Sequence, residues 1–379
     1  MKKALFVATI YGFLNSFETN NMRLLQEMGY EVHCMANPFQ DQDPAKARVE
    51  TPNIDAIGGV IKHDWVCARS PYDKNNIIAL NQLKKLLASE HFDIVHCHTP
   101  MGGVLARIAC APYRKQGLKV IYTAHGFHFF KGAPRKNWLI YYPIEKELSR
   151  VTDTLVTITR EDYALARGSF FAGQTCYVPG VGVDLERFQD VYVDRDEKRR
   201  GLGIAPSDIL LLSVGELNTN KNHRVVIQAL GRLWNSHIHY VIAGTGDQGD
   251  ALKQLAAECG VNLRLLGYRS DVPELLKAAD IYALPSLREG LNVSLMEAMA
   301  SGLPCICGDI RGNQDLIDDG KGGYRVPSAD VSAWAAAITK SLHVAPEFKK
   351  YNQEKIRNFS KERVEERMRE IYDAERSCQ

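Results

Sequence analysis

The stretch Asp280–Cys305 reads DIYALPSLREGLNVSLMEAMASGLPC. Ile281, Tyr282, Ala283 and Leu284 form an apolar run of strand length, and Pro285-Ser286 end it. Good helix formers follow from Asn292 through Ala300 until Gly302-Leu303-Pro304 stop them, so a buried parallel strand turns directly into a helix. Gly290, Leu291 and the free N–H groups near Asn292 to Ser294 then make a helix N-terminus, an end that attracts anions. Glu289 lies in the loop above that end, and Glu297, eight residues on, lies on the helix. One carboxylate can take two ribose hydroxyls, and a second beside a phosphate-seeking helix end suits the hydroxyls of a sugar. A nucleotide sugar has that shape. Two solvated glutamates are the alternative for an isolated E-x7-E.

Outward from this segment, strand and helix patterns alternate, as in parallel sheets flanked by helices. One series has strands near Lys3–Thr9, Glu31–Met35, Ile94–Cys97, Val120–Thr123, Thr154–Ile158 and Cys176–Val178, with helices such as Glu18–Met28 and Ile77–Ser89. The other runs through Ile209–Val214, His239–Ala243, Asn262–Leu265, Asp280–Leu284, Pro304–Cys307 and Tyr324–Val326. DVYVDRDEKRRGLGIAPSD between them is charged and lacks a long apolar run, so it reads as a linker. The expected fold is α/β, with two Rossmann-like, doubly wound parallel-sheet domains facing a cleft. Its parts are residues 1–187, a linker 188–207, a second domain 208–358 and a last helix within 359–379. Ligands of open parallel sheets bind beyond the carboxyl ends of the strands. Asn218, Lys221, Tyr268, Arg269 and Glu289 follow strand ends in the second series, and Gly12 and His125 do so in the first.

Composition narrows the class. A chain of 379 residues, 45% apolar, can bury two cores. A net charge of +2, with no run of like charge and no zinc-finger spacing, implies no nucleic-acid partner. Nine scattered cysteines without C-x-x-C fit a reducing compartment, and the cytoplasm is the expected location. The opening MKKALFVATIYGFLNSFETN has lysines before apolar residues as a signal peptide does, but its short apolar run reads as the first strand. No stretch reaches the roughly 20 apolar residues that span a bilayer.

Further candidates follow from position. Lys221 comes after the strand LLLSVG and opens the helix HRVVIQAL, where its charge can offset a diphosphate; a solvated lysine is the alternative. Gly12, after ALFVATI, lets backbone approach a phosphate closely or simply makes a turn. His96 and His98 share a strand face, with His125 and His128 further on, but a metal centre needs three or four convergent ligands and no metal is expected. In KGAPRKNWLIYYPIEKELSR, Lys131–Arg150, basic and aromatic residues combine as at a lipid–water interface, or as in a core-facing helix with a solvated end.

The segments SVGELNTNKNH from Ser213, VIAGTGD from Val241, LLGYRSDVPELLKAADIYALPS from Leu265, the carboxylate stretch and GDIRGNQDLIDDGKGGYRV from Gly308 resemble the retaining glycosyltransferases of family 4, which have the GT-B fold. FDIVHCHTPMGG and VIYTAHGFHFFKGAPRKNWLIYYPIEKEL look like members that build capsular or secreted polysaccharides. The resemblance implies a hexosyltransferase that takes a nucleotide sugar, by family weight a UDP-sugar, and a lipid-linked saccharide acceptor. It further implies no cofactor or essential metal, contact with the inner membrane surface, and a last helix that crosses back onto the first domain. His125, Lys221 and Glu289 would be catalytic, with His125 lining the sugar and acceptor side and Glu289 orienting the donor sugar. Glu297 would hold the ribose and Gly267-Tyr268-Arg269 would supply backbone contacts to the base. Attack would come from the front face, the departing phosphate taking the acceptor's proton, unlike retaining hydrolases with carboxylates about 5–5.5 Å apart. One position departs from the pattern: Glu216 stands where the family has an arginine after the strand glycine. A glutamate cannot bind diphosphate directly, so Arg269, Arg311, Asn218 or the helix end near Asn222 must compensate, or Glu216 must turn to a basic partner. A nucleotide-sugar epimerase and a non-catalytic nucleotide-sugar sensor are the alternative functions.

Overall fold

The computed structural model describes residues 1–343 and 346–377, so the final two residues of the segment 359–379 lie outside the described residues. The chain forms two compact units, one of Met1–Val181 together with the chain from Val364 on, the other of Gly182–Arg363.

In the first unit the strands are β1 (Lys2–Ile10), β2 (Tyr30–Asn37), β3 (Ile61–Asp64), β4 (Ile94–His98), β5 (Lys119–Ala124), β6 (Thr154–Thr157) and β7 (Gln174–Tyr177). They pair in parallel in the order β3-β2-β1-β4-β5-β6-β7. The central position of β1 explains its unbroken apolar sequence, because a parallel strand covered on both faces buries every side chain. Leu5 and Val7 enter one core while Ala4, Phe6 and Ala8 enter the other. That second core also takes Val364, Met368, Ile371 and Tyr372 from the helix Lys361–Ser377. Strand β3 is absent from the sequence reading. It is an edge strand whose residues are mostly exposed, so IKHD carries no apolar run to betray it. The predicted helix Glu18–Met28 is present as Thr19–Glu27, and a second short helix that the sequence did not announce, Tyr11–Phe17, precedes it and meets it at Glu18.

The second unit contains β8 (Ile209–Val214), β9 (Ile238–Ala243), β10 (Asn262–Leu265), β11 (Ile281–Leu284), β12 (Cys305–Gly308) and β13 (Gly323–Val326), ordered β10-β9-β8-β11-β12-β13. Each sheet thus reverses direction of growth beside its first strand, the doubly wound order whose switch point lies at the strand carboxyl ends. Residues 188–207, expected as a linker, are folded into this unit. Phe188 is buried, and the helix Arg195–Gly201 drives Arg199 (1% exposed) onto Asp280, with Nη1 donating to Oδ2 at 2.9 Å. The charge that suggested a solvated connection puts buried Arg199 in an ion pair with the partly exposed Asp280 at the foot of β11.

Candidate functional site

At the carboxyl end of β8 the backbone passes through Gly215 and Glu216 into a loop held by its own side chains. Asn218 Oδ1 accepts from Lys221 N at 3.0 Å, and Asn218 Nδ2 donates to Glu216 Oε2 at 2.7 Å. Leu287 N donates to Asn220 O at 2.8 Å and Asn220 Nδ2 to Arg288 O at 3.0 Å, so this loop is stitched to the one leaving β11. His223, first residue of the helix His223–Leu233, braces the same loop from below: its Nδ1 lies 2.9 Å from Tyr240 Oη and its Nε2 3.3 Å from Glu216 O. Burial holds its imidazole down at about 4, hence neutral near pH 7. The adjoining β9 exit passes so close that a Cβ on Gly244 would come within 1.9 Å of Gly215 O.

The stitching brings Lys221 and Glu289 together. Nζ lies 2.7 Å from Glu289 Oε1, with the side chains only 17% and 13% exposed. Beside them stands the helix Val293–Ala300, capped by Asn292, whose Oδ1 accepts from Leu295 N at 3.0 Å. Tyr282 Oη donates to Ser294 Oγ at 2.6 Å, and that hydroxyl lies 3.0 Å from Val214 O, which ties the first turn to both β11 and β8. Gly290 and Leu291 complete the approach, with Gly312 packed against Gly290 O so tightly that a Cβ would sit 1.8 Å from it. Glu297 is half-buried on the helix. Burial raises its carboxyl to about 7, opposed by the positive charges of Arg187 and Lys361.

Tyr268 is 83% exposed, on a turn after β10 where Gly267 O accepts from Gly244 N. The Arg269 guanidinium is tied to Asp271 through Nε and Nη2 by bonds of 2.7 and 2.5 Å. Glu216 is exposed and meets the Asn218 amide rather than a basic residue. Gly12 lies inside the helix Tyr11–Phe17, where a Cβ would make an ordinary contact of 3.6 Å with Val49; the helix needs no glycine there.

The first unit gathers histidines at the ends of β4 and β5. His98 Nδ1 lies 3.3 Å from His125 Nε2, and both face Glu18, whose Oε1 is 3.3 Å from the former and 3.7 Å from the latter. Glu18, His96 and His98 have ligand-capable atoms within 4.8 Å of one another. Both His96 nitrogens, however, are engaged: Nδ1 by Tyr372 Oη and Nε2 by Thr123 Oγ1, each at 2.8 Å. Burial pushes Glu18 up to about 8, His125 down to about 4 and His98 well below the usual imidazole range. Glu18 escaped the sequence reading because a single glutamate between two short helices carries no pattern.

Lys131–Arg150 contains the helix Arg135–Leu148. Trp138, Tyr141 and Tyr142 pack against the first core, while Leu139 (77% exposed), Ile140 and Ile144 face outward, beyond the exposed Lys131, Arg135 and Lys136. Glu145 fixes the inner face through a 2.8 Å ion pair with buried Arg107. Among the described residues no helix is long and apolar enough to cross a membrane.

Comparison with known proteins agrees with this architecture. Residues 19–187 match the family model Glycosyltransferase Family 4, and residues 194–359 match Glycosyl transferases group 1. A protein of Bacillus subtilis (strain 168) named as a glycosyltransferase, EpsD, is 38% identical over 98% of this chain and 97% of its own. The UDP-Gal:alpha-D-GlcNAc-diphosphoundecaprenol alpha-1,3-galactosyltransferase of Escherichia coli is 32% identical over 69% of each chain. Among solved structures, HepE of Anabaena in complex with UDP and glucose superposes with a TM-score of 0.78 at 16% identity, covering 99% of this chain and 100% of that one. With family matches in both units, a full-length relative and GT-B neighbours, the chain belongs to the family 4 glycosyltransferases of GT-B fold.

Proposed function

We propose that this glycosyltransferase retains anomeric configuration and moves a hexose or N-acetylhexosamine from a UDP-sugar to a lipid-linked saccharide in capsular or exopolysaccharide synthesis. The observation that carries the reading is the Lys221–Glu289 pair beside the capped N-terminus of Val293–Ala300. A diphosphate brought there exchanges the glutamate for phosphate oxygens as partners of Lys221 and adds the helix N–H groups. Glu289 is then released to accept from donor-sugar hydroxyls, and Glu297 accepts from the ribose. Asn218 shapes the loop, and the Gly267-Tyr268-Arg269 turn meets the base through backbone groups. The relative from Escherichia coli, which uses UDP-Gal and a diphosphoundecaprenol-linked GlcNAc, supports both donor and acceptor classes.

In this reading the acceptor hydroxyl oxygen bonds to the sugar C1 as the C1–phosphate oxygen bond breaks, and the hydroxyl proton passes to the departing phosphate. Lys221 and the helix end offset the charge that accumulates there. Preorganised charge of this kind is commonly the largest catalytic contribution. His125 lines the sugar and acceptor side. The reaction needs no metal or other cofactor, and no nucleic acid takes part. The protein works in the cytoplasm, touching the inner membrane surface through Leu139, Ile140 and Ile144 with the basic residues beside them.

The test is incubation of purified protein with a panel of nucleotide sugars and lipid-linked acceptors in EDTA, following released nucleotide and glycosylated product by mass spectrometry. Product from one donor–acceptor pair, lost in Glu289→Ala, supports the reading. A free sugar epimer formed without acceptor would replace it with an epimerase, and nucleotide binding without turnover across the panel with a sensor.

A further inference from the structure

Glu18 is 2% exposed at the junction of its two helices, and among the described residues it is paired with histidines and with no lysine or arginine. A carboxyl buried without a cation keeps its proton. Oε2 accepts from Asn21 Nδ2 at 2.7 Å, which leaves Oε1 to face His98 and His125. His98 in turn has a sealed Nε2 without a hydrogen-bond partner. A proton on that nitrogen would be a buried unsatisfied donor, at a cost of about 1–3 kcal/mol. Neutral His98 therefore carries its proton on Nδ1, the atom 3.3 Å from His125 Nε2. That N–H is within hydrogen-bond distance of His125 Nε2, and the Glu18 carboxyl proton faces the same nitrogen from 3.7 Å, so both favour an accepting Nε2. The proton of neutral His125 then sits on Nδ1, which has no protein partner among the described residues, on a ring that is 21% exposed.

We propose that Glu18 is a positioning residue whose buried carboxyl, together with His98, locks His125 in the Nδ1–H tautomer, so that the unpartnered nitrogen donates a hydrogen bond to a sugar hydroxyl. The inference rests on the reading of His125 as lining the sugar side of the reaction. It makes a protein group that never touches substrate set the polarity of one that does. When Glu18 loses its proton the polarity inverts: carboxylate Oε1 draws the His98 Nδ1–H, 3.3 Å away, from His125 to itself and also accepts from His125 Nε2, the ring proton leaves Nδ1, and the donor becomes an acceptor. The titratable groups facing Glu18 are His96 and His98 on β4, His125 after β5, and Tyr372 on the last helix. Of these, His96 and Tyr372 are bonded to each other, with the Tyr372 hydroxyl held well above its usual range. Glu18 is accordingly the group of this cluster that titrates near pH 8.

The experiment is long-range proton–nitrogen correlation on the uniformly 15N-labelled full chain, with His125 assigned from the signals missing in His125→Gln. At pH 7 the wild type should show Nδ1 protonated and Nε2 bare, with the two exchanging character as pH rises through about 8. Glu18→Gln, isosteric and unable to titrate, should show no exchange. In parallel, kcat of the wild type should fall on an alkaline limb that Glu18→Gln lacks, whereas a merely structural role would lower kcat equally at all pH. An Nε2–H tautomer at pH 7, or an exchange that survives in Glu18→Gln, overturns the proposal. The expected spectra in a protein with no transfer activity would uphold the lock and overturn the transferase reading alone.

Discussion

Replacing Lys221 by alanine tests the site most directly. Its Nζ is the cation 2.7 Å from Glu289, and both side chains are more than four-fifths covered. At an effective dielectric of about 20 the gross attraction at this distance is about 6 kcal/mol, but most of it is offset by the desolvation of both groups. What remains is better measured by the consequences of removal. Loss of one well-placed donor to developing charge costs about 2.7–4 kcal/mol, which is about a hundred- to a thousandfold in kcat. A second effect adds to it, because Glu289 is left as an uncompensated negative charge beside the diphosphate and KM rises as well. Glu289→Gln should behave differently. It frees Lys221 from its internal partner, so UDP affinity is retained or improved while kcat falls through loss of sugar orientation. Steady-state kinetics with product detection, and calorimetric titration with UDP, separate the two. A kcat for Lys221→Ala within tenfold of wild type, or equal losses of UDP affinity in both variants, would refute the assignment of Lys221 to the leaving group.

Three further outcomes are expected. Gly312→Ala introduces a Cβ 1.8 Å from Gly290 O at a φ of +81°, so it should lose at least the roughly 1–3 kcal/mol of such backbone strain in urea unfolding and weaken UDP binding by displacing Gly290. Because burial raises Glu297 from an ordinary value near 4.5 to about 7, its contribution to stability is present in full below pH 4.5 and is lost as pH rises to 7. Nucleotide affinity runs the other way, rising over the same interval as the hydroxyl-accepting carboxylate forms; Glu297→Gln should flatten both profiles, and an unchanged affinity profile would remove Glu297 from the ribose. Reversing Lys131, Arg135 and Lys136 to glutamate should abolish sedimentation with anionic liposomes while leaving UDP binding intact, and unaltered sedimentation would end the membrane reading.

Local pattern was enough for much of this protein. The apolar runs of β1, β8 and β11 announced two parallel sheets because a strand buried on both faces has no alternative but to be apolar throughout. The strand-to-helix turn at Glu289–Val293 was legible from Gly290, the Asn292 cap and the helix formers beyond, all interactions within a few residues. Where the deciding contact is distant in sequence, pattern misled or was silent. The charged stretch 188–207 looked solvated until Arg199 met Asp280, and the edge strand β3 could be seen only beside β2. Which face of Arg135–Leu148 turns inward depended on Arg107 reaching Glu145. The pairing of Lys221 with Glu289 spans 68 residues and needed β8 and β11 as neighbours. Glu18 needed two more strand ends to acquire histidine partners. Sequence alone therefore determined the elements and the chemistry available at their ends, since those follow from short-range periodicity and capping. Tertiary structure decided which of those groups lose water and meet one another, since desolvation and charge pairing depend on neighbours in space.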